Sequence, residues 1–223
     1  MQLKKSKKIL IYFFLFLMIG TLNNKNLEIN NFANLDEIIV KGLDNENNYQ
    51  IIDNLNLLKI NNLFFINKEQ IKDKIIANNL VEKYSVFKKY PSTLKIEISK
   101  TKFLALTKIN NDNFFLGSNG RLIEAINFKK DIPFIFGDFD NESFFELKKA
   151  IDETNFKYNR IKNLFFFKSG RWDIETKSGL LIRLPEKNIK KSLQLMIDFL
   201  AKENNEKINK IDLRQYNQII IDG

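Results

Sequence analysis

The sequence contains no cysteine and no histidine, and its 223 residues include only 8 glycines and 3 prolines. Without cysteine there can be no disulfide bond and no thiol nucleophile, and without either residue there is no Cys/His zinc site. Histidine is also the side chain whose ordinary pKa lies nearest neutrality, so its absence removes the commonest general base. The low glycine and proline content excludes collagen-like chains, and 44% hydrophobic residues favour one or two globular domains.

The charge is +9, but the basic residues are 31 lysines and only 5 arginines. A basic chain suggests nucleic acid or a membrane surface as a partner. Because arginine makes most of the specific contacts with phosphates and bases, the low arginine content argues against nucleic acid. Four lysines lie within residues 1–8, so nearly half of the net charge is at the N-terminus.

Residues 9–22 form an uncharged, apolar run behind this basic tail of residues 1–8. A basic flank followed by an apolar segment predicts membrane insertion with the lysines in the cytoplasm and the rest of the chain across the membrane. The run is as short as the apolar part of a signal peptide. Because no pair of small residues marks a cleavage site, we expect an uncleaved anchor, with Lys8 and Lys25 reaching the two interfaces. Residues 23–34 are then an asparagine-rich spacer.

Residues 35–101 predict a small unit of the order strand, helix, helix, strand, strand. Strands are predicted at 38–40, 81–88 and 93–100, and one helix at 45–56. The second helix begins after Asn67, which with Gln70 forms a capping-box pattern. The inner face of the first helix is predicted to carry Tyr49, Ile52 and Leu55.

Residues 102–223 predict short strands and turns with two helices, at 142–155 and 188–203. The aromatic run Phe165–Phe167 precedes Lys168, which is compatible with a nucleic-acid surface or with a sheet core; the core interpretation is favoured. Trp172 is either a core residue or an interface anchor. The last strands are predicted at 210–213 and 218–221.

No catalytic or metal-binding constellation is found. The densest acidic cluster, Asp138, Asp140 and Glu142, lacks the glycine and the later glutamate of a calcium loop, so we predict a turn and a helix start. Gly117–Gly120 lacks the lysine of a phosphate loop and predicts a hairpin turn. We expect no enzyme activity, no cofactor and no small-molecule substrate.

Five short motifs, in order, resemble those of the bacterial cell-division family FtsQ, called DivIB in Gram-positive organisms. The motifs are Val40-Lys41-Gly42-Leu43, Asn62-Leu63-Phe64-Phe65-Ile66, the strand Lys89–Ile98 with its Pro-Ser-Thr-Leu, Asn119-Gly120-Arg121, and Lys210-Ile211-Asp212-Leu213-Arg214.

The resemblance implies an α+β fold: one N-terminal transmembrane helix, a POTRA domain (β-α-α-β-β) at 35–101, and a mainly antiparallel β domain with two or more helices at 102–223. It implies a single-pass type II protein of the cell inner (cytoplasmic) membrane at the division septum, with its C-terminal domains periplasmic or extracytoplasmic.

The family is a non-enzymatic scaffold that links early and late division proteins and controls septal peptidoglycan synthesis. The implied partners are FtsB and FtsL and, through them, FtsW and FtsI, with FtsK linked to the POTRA domain. FtsB adds a strand at the last strand of the sheet. Carried over by motif, the contact residues expected here are Arg171, Trp172, Arg214, Gln215, Asn217, Gln218, Ile219, Ile220 and Ile221.

Two other functions remain open. A POTRA-containing envelope assembly or translocation protein would normally have tandem POTRA units or a membrane barrel, and only one unit is visible. A cell-wall enzyme with an uncleaved signal would need a catalytic constellation.

Overall fold

The computed structural model describes residues 5–22, 34–125, 131–202, 208–215 and 217–222. The chain divides into two compact units. The first unit comprises residues 1–78 and 84–98, and the second comprises residues 79–83 and 99–223.

The N-terminal helix α1 runs from Lys5 to Leu22 and contains the predicted apolar run. Its large side chains from Ile9 to Ile19 are all exposed, with exposed fractions between 46% and 77%. Within the described part of the chain, no helix combines the length and the apolar character needed to cross a membrane.

The remainder of the first unit has the predicted order of elements. These are β1 (Glu37–Lys41), α2 (Asn45–Leu55), a 3-10 helix (Asn56–Ile60), α3 (Lys68–Ile76), β2 (Val81–Lys89) and β3 (Thr93–Lys100). The strands form a sheet in the order β1-β3-β2, with β1 parallel to β3. The predicted capping box is present at Asn67, whose backbone N–H donates to Gln70 Oε1 at 3.2 Å.

Alternation along the strands builds the core of this unit. Leu94 and Ile96 of β3 are fully buried beside Ile38 and Val40 of β1, because every second side chain of a strand points to the same face. The helices contribute Ile51, Leu55, Ile71 and Ile75, all fully buried. The predicted inner face of α2 is therefore wrong in part: Leu55 is buried, but Ile51 takes the place of Ile52, and Tyr49 is 71% exposed.

In its described residues, the second unit is one nine-stranded sheet with two α-helices and a 3-10 helix (Tyr158–Arg160). Its elements are β4 (Phe103–Ile109), β5 (Asp112–Gly117), β6 (Leu122–Glu124), β7 (Phe134–Phe136), α4 (Asn141–Asp152), β8 (Ile161–Phe166), β9 (Trp172–Thr176), β10 (Leu181–Arg183), α5 (Ile189–Lys202), β11 (Lys210–Asp212) and β12 (Ile220–Asp222).

The strand order is β12-β11-β10-β9-β8-β7-β4-β5-β6. The pairs β4–β7, β7–β8 and β10–β11 are parallel, and the other neighbours are antiparallel, so the sheet is mainly antiparallel.

The core of the second unit lies between one face of the sheet and the two helices. The strands supply Leu116, Ile135, Leu164, Ile174, Ile182 and Ile211, and the helices supply Phe144, Leu147, Ile151, Leu193 and Met196. Trp172 is among these buried residues at 1% exposure, and its ring lies 4.7 Å from that of Phe166 and 6.4 Å from that of Phe144.

The aromatic run 165–167 is only partly core. Phe166 packs against the core, but Phe165 stacks on Phe136 with ring centroids 5.1 Å apart, and Phe167 is 38% exposed. The prediction of a core run fails for Phe165 and Phe167 because consecutive residues of a strand point to opposite faces. Strand β7 is not among the predicted elements, since its three residues are too few to show a period.

Gly42, in the first motif of the resemblance, occupies a position that only glycine fits. Its φ is +121°, and a Cβ atom there would overlap the carbonyl oxygen of Ile98. A substitution at this position therefore meets both backbone strain and a rigid neighbour.

We predict that Gly42→Ala lowers the free energy of unfolding of the first unit by more than the about 1–3 kcal/mol expected from backbone strain alone. Gly179→Ala is the matched control, because Gly179 also has a positive φ, +90°, but an added methyl group there would meet no atom of the described chain within 4 Å. The control should lose about 1–3 kcal/mol from backbone strain. Hydrogen exchange of the β1 and β3 amides measures the effect of Gly42→Ala, and exchange of the β9 and β10 amides that of Gly179→Ala; unchanged protection of β1 and β3 would contradict the close approach to Ile98.

Candidate partner-binding edge

Strand β12 is one of the two end strands of the nine-stranded sheet. It pairs with β11 in antiparallel register, with Ile211 opposite Ile221 and Asp212 opposite Ile220. Ile220 and Ile221 are each 51% exposed, whereas Ile219 is half-buried and packs against the core. The predicted strand 218–221 is thus shifted to 220–222, and Gln218 and Ile219 lead into it.

The segment before β12 forms a turn beside a surface groove. The N–H of Gln218 donates to the carbonyl of Gln215 at 3.3 Å, and Asn217 has a φ of +55°. The groove has a volume of about 300 Å³. Four predicted contact residues line it, together with residues from the start of α5 and the loop before it: Arg214, Gln215, Asn217, Gln218, Lys187 and Lys191.

The other two predicted contact residues have different environments. Arg171 immediately precedes β9, with its guanidinium 4.4 Å from the centre of the Phe167 ring. Trp172, at 1% exposure, belongs to the core, so of the two interpretations left open the burial favours the core residue. Its side chain is not accessible to a partner at the surface.

A chain of ion pairs connects Arg171 with the terminal edge. Arg171 Nε lies 3.3 Å from Asp173 Oδ1, and Arg183 Nε lies 3.8 Å from Asp173 Oδ2. Arg183 also approaches Asp212 Oδ2, at 4.0 Å, and Arg214 Nε donates to Asp212 Oδ1 at 2.8 Å. Three of the five arginines of the sequence therefore lie in one row across β9, β10 and β11.

The two carboxylates of this row have opposite pKa shifts. Burial raises the pKa of Asp173, against the effect of Arg171, Arg183 and Arg214. Hydrogen bonds from Arg214 lower the pKa of Asp212, although its partial burial acts in the other direction. Asp212 is therefore ionised at neutral pH, and it fixes Arg214 at the end of β11 through both the side chain and the backbone N–H, at 3.1 Å.

Asp173 and Arg183 are not identified by the sequence alone. Their only signal is that each is a charged residue next to an apolar one in a short strand, and that pattern also describes any solvated sheet face. Asp212 stands out only as part of a motif. The row exists because strand pairing aligns residues that are far apart in sequence.

The acidic cluster near residue 140 is a helix start, as predicted. Asp140 caps α4, accepting from the Ser143 N–H at 2.8 Å and from the Ser143 hydroxyl at 2.7 Å, and these bonds lower its pKa. In the described ranges, no three histidine, cysteine or acidic side chains are grouped in a way that could hold a metal ion.

Comparison with protein families gives two adjacent matches. The family described as "POTRA domain, FtsQ-type" matches residues 33–100, and the family described as "Cell division protein FtsQ/DivIB, C-terminal" matches residues 105–214. The chain belongs to the FtsQ/DivIB family. The second match ends at Arg214, so β12 lies beyond it.

Relatives of the FtsQ/DivIB family align with most of the chain. "Cell division protein FtsQ" of Rickettsia bellii is 27% identical over 196 residues, covering 84% of this chain and 72% of the relative. "Cell division protein DivIB" of Clostridium botulinum strain Hall is 31% identical over 121 residues, covering 54% of this chain and 46% of the relative. These names support a role in cell division.

A solved structure of the DivIB family also aligns with the chain. The major extracytoplasmic domain of DivIB from Geobacillus stearothermophilus has a TM-score of 0.35 and 15% identity, covering 49% of this chain and 98% of that domain.

We predict that Asp212→Asn destabilises the second unit by about 1–3 kcal/mol at neutral pH, because Arg214 and Arg183 lose their charged acceptor. A carboxylate whose pKa is lowered by folding stabilises the fold above its unfolded pKa, and this stabilisation is lost as the pH falls through its folded pKa. The difference between the two proteins should therefore shrink below about pH 4.

Trp172 fluorescence during thermal unfolding measures this effect, since the only tryptophan lies in the core of the second unit. Asp222→Asn is the control, because Asp222 pairs with Lys210 at the exposed surface and should contribute little. An equal loss of stability at pH 7 and pH 3 would exclude the ionic contribution of Asp212.

Proposed function

We propose that this chain is a membrane-anchored scaffold of the division machinery, and that a partner adds a strand to β12. The observation that supports this proposal is the position of β12 at the end of the sheet, with two half-exposed isoleucines. An end strand has backbone groups on one side that a second chain can pair with, which is a recurrent mode of peptide recognition.

The opposite end of the sheet is less suited to this role. There the Asn79 side chain donates to the carbonyl of Leu122 in β6, at 2.9 Å, and Asn119 donates to the carbonyls of Asn79 and Val81. These bonds place a second segment of chain against β6. Strand addition is therefore easier at β12 than at β6.

Backbone pairing alone would give a weak complex. In a three-residue strand, only one or two residues direct their N–H and C=O groups outward. A hydrogen bond contributes about 0.5–1.5 kcal/mol net, whereas a micromolar complex requires about 8 kcal/mol. Side chains must provide most of the affinity, and we assign this contribution to Ile220, Ile221 and the adjacent groove.

The groove favours an acidic partner segment. Its ionisable lining residues are Lys187, Lys191 and Arg214 against Glu186. Opposite charge on the partner would speed association and fix the register of the added strand. From the family resemblance, we propose FtsB as the partner that adds this strand, with FtsL bound alongside and FtsW and FtsI recruited through them. FtsK is proposed for the first unit.

We propose further that α1 anchors the chain in the inner (cytoplasmic) membrane as a single-pass type II protein, with both units extracytoplasmic and located at the septum. Two features support this: the eleven consecutive exposed side chains from Ile9 to Ile19, and the lysines that precede them. Water is an unfavourable environment for such a helix, whereas a bilayer solvates it.

We predict that Ile220→Pro abolishes capture of purified FtsB and FtsL from the same bacterium by this chain. Successive N–H groups of a strand point in opposite directions, so Ile221→Pro is tested beside it: one proline removes an outward donor and the other a bond to β11. Ile220→Ala separates the side-chain contribution from backbone pairing. Capture at the normal level by both proline variants, with Trp172 fluorescence unchanged, would contradict strand addition.

We predict that a fluorescent fusion of the full chain collects at the septum and that its depletion produces undivided cells. The same fusion without residues 1–22 should leave the membrane fraction and lose septal enrichment. Uniform membrane distribution with normal division would contradict the division scaffold. A mature protein recovered in the soluble fraction, beginning near residue 23, would contradict the anchor.

A further inference from the structure

The first unit exposes an unusual group of large apolar side chains. Their exposed fractions are 72% for Leu57, 86% for Ile60, 52% for Phe64, 85% for Phe65 and 56% for Tyr90. We call these five residues the apolar patch. Single exposed apolar residues are ordinary, but a group of this kind on a soluble domain indicates a surface that contacts another apolar phase.

The residues between them hold the apolar patch in place. Leu58, Leu63 and Ile66 are buried at 5% exposure or less. Their side chains pack into the core and hold residues 57–66 in place. Lys88 Nζ donates to the carbonyl of Ile66 at 2.9 Å, and the rings of Phe64 and Tyr90 are stacked with centroids 4.6 Å apart. The exposed side chains are thus presented outward by an ordered frame.

The apolar patch lies beside Asn34, the first described residue after α1. Asn34 forms an isolated bridge with Asn62, and the N–H of Leu35 donates to the carbonyl of Asn61 at 3.2 Å. Asn34, Ile60 and Phe65 line the same surface pocket. Eleven residues, 23–33, separate α1 from Asn34, and a chain of this length reaches at most about 40 Å.

We infer that the apolar patch rests on the outer surface of the membrane in which α1 is anchored, with its side chains among the lipid headgroups and upper acyl chains. This inference depends on the proposed anchor, which keeps the patch within reach of the bilayer. Phenylalanine, isoleucine and leucine enter the acyl boundary, and tyrosine favours the interface.

The charge around the apolar patch matches an anionic bilayer. Residues 53–69 contain the exposed Lys59 and Lys68 against the exposed Asp53 and Glu69, and Lys88 and Lys89 precede Tyr90, so basic residues outnumber acidic ones near the patch. Lysines near a membrane are attracted by anionic headgroups, and this attraction adds to the burial of the apolar side chains. Docking would hold the first unit at a fixed distance from the membrane.

The absence of cysteine allows a direct test with single-cysteine labels. The full chain carrying Phe65→Cys, labelled with an environment-sensitive fluorophore, is reconstituted in vesicles of phosphatidylcholine with phosphatidylglycerol and trace nitroxide lipid. Tyr49→Cys is the matched control, because Tyr49 is 71% exposed in the same unit but lies on α2, outside the patch. We expect severalfold stronger nitroxide quenching at position 65 than at 49, and weaker quenching at 65 without phosphatidylglycerol.

The outcomes separate the inference from the proposed anchor. Equal quenching at the two positions, in a chain that floats with the vesicles, overturns the inference and leaves the anchor intact. A chain that does not float overturns the anchor and the inference together. If the label at position 65 is shielded only at high protein density, and not quenched by nitroxide lipid, the patch contacts a second copy of the chain and the inference is wrong.

Discussion

The burial of one face of the nine-stranded sheet by α4 and α5 is the constraint on which the second unit depends. Apolar residues line this face from Leu116 near one end of the sheet to Ile211 near the other. Because side chains alternate along a strand, the same backbone directs the intervening residues to the opposite face. There Phe134 and Phe136 of β7, Phe165 of β8 and the ion pairs of β9 to β11 lie side by side. Burial of the core face therefore determines which side chains lie on the opposite face, beside the candidate partner edge.

Local signals in the sequence are sufficient where neighbouring residues determine the structure. The capping box at Asn67 and the alternation of Leu94, Ile96 and Ile98 depend on residues within a few positions of each other, and the predicted elements are present. Short apolar runs separated by turns also predict the terminal strands, whereas the mainly antiparallel character of the β domain is expected from the family resemblance.

Other features depend on partners that are distant in sequence. The row from Arg171 to Arg214 requires the parallel pairing of β10 with β11 across the whole of α5, and no local pattern encodes that pairing. The burial of Ile51 instead of Ile52 in α2 reflects the position of the helix on its sheet. Phe165–Phe167 form a uniform aromatic run in the sequence. Because alternate side chains of a strand point to opposite faces, Phe166 lies in a different environment from its two neighbours.

Strand β12 is only three residues long, is joined to one neighbour and carries two half-exposed isoleucines, whereas β10 and β11 each place a fully buried isoleucine in the core. Cooperative units with few backbone bonds and exposed side chains open at the lowest free energy in a native protein. The end of the sheet should therefore open and close many times during the life of the folded core. A second chain paired with β12 would slow this local opening, so the edge would become fully ordered only as part of a complex.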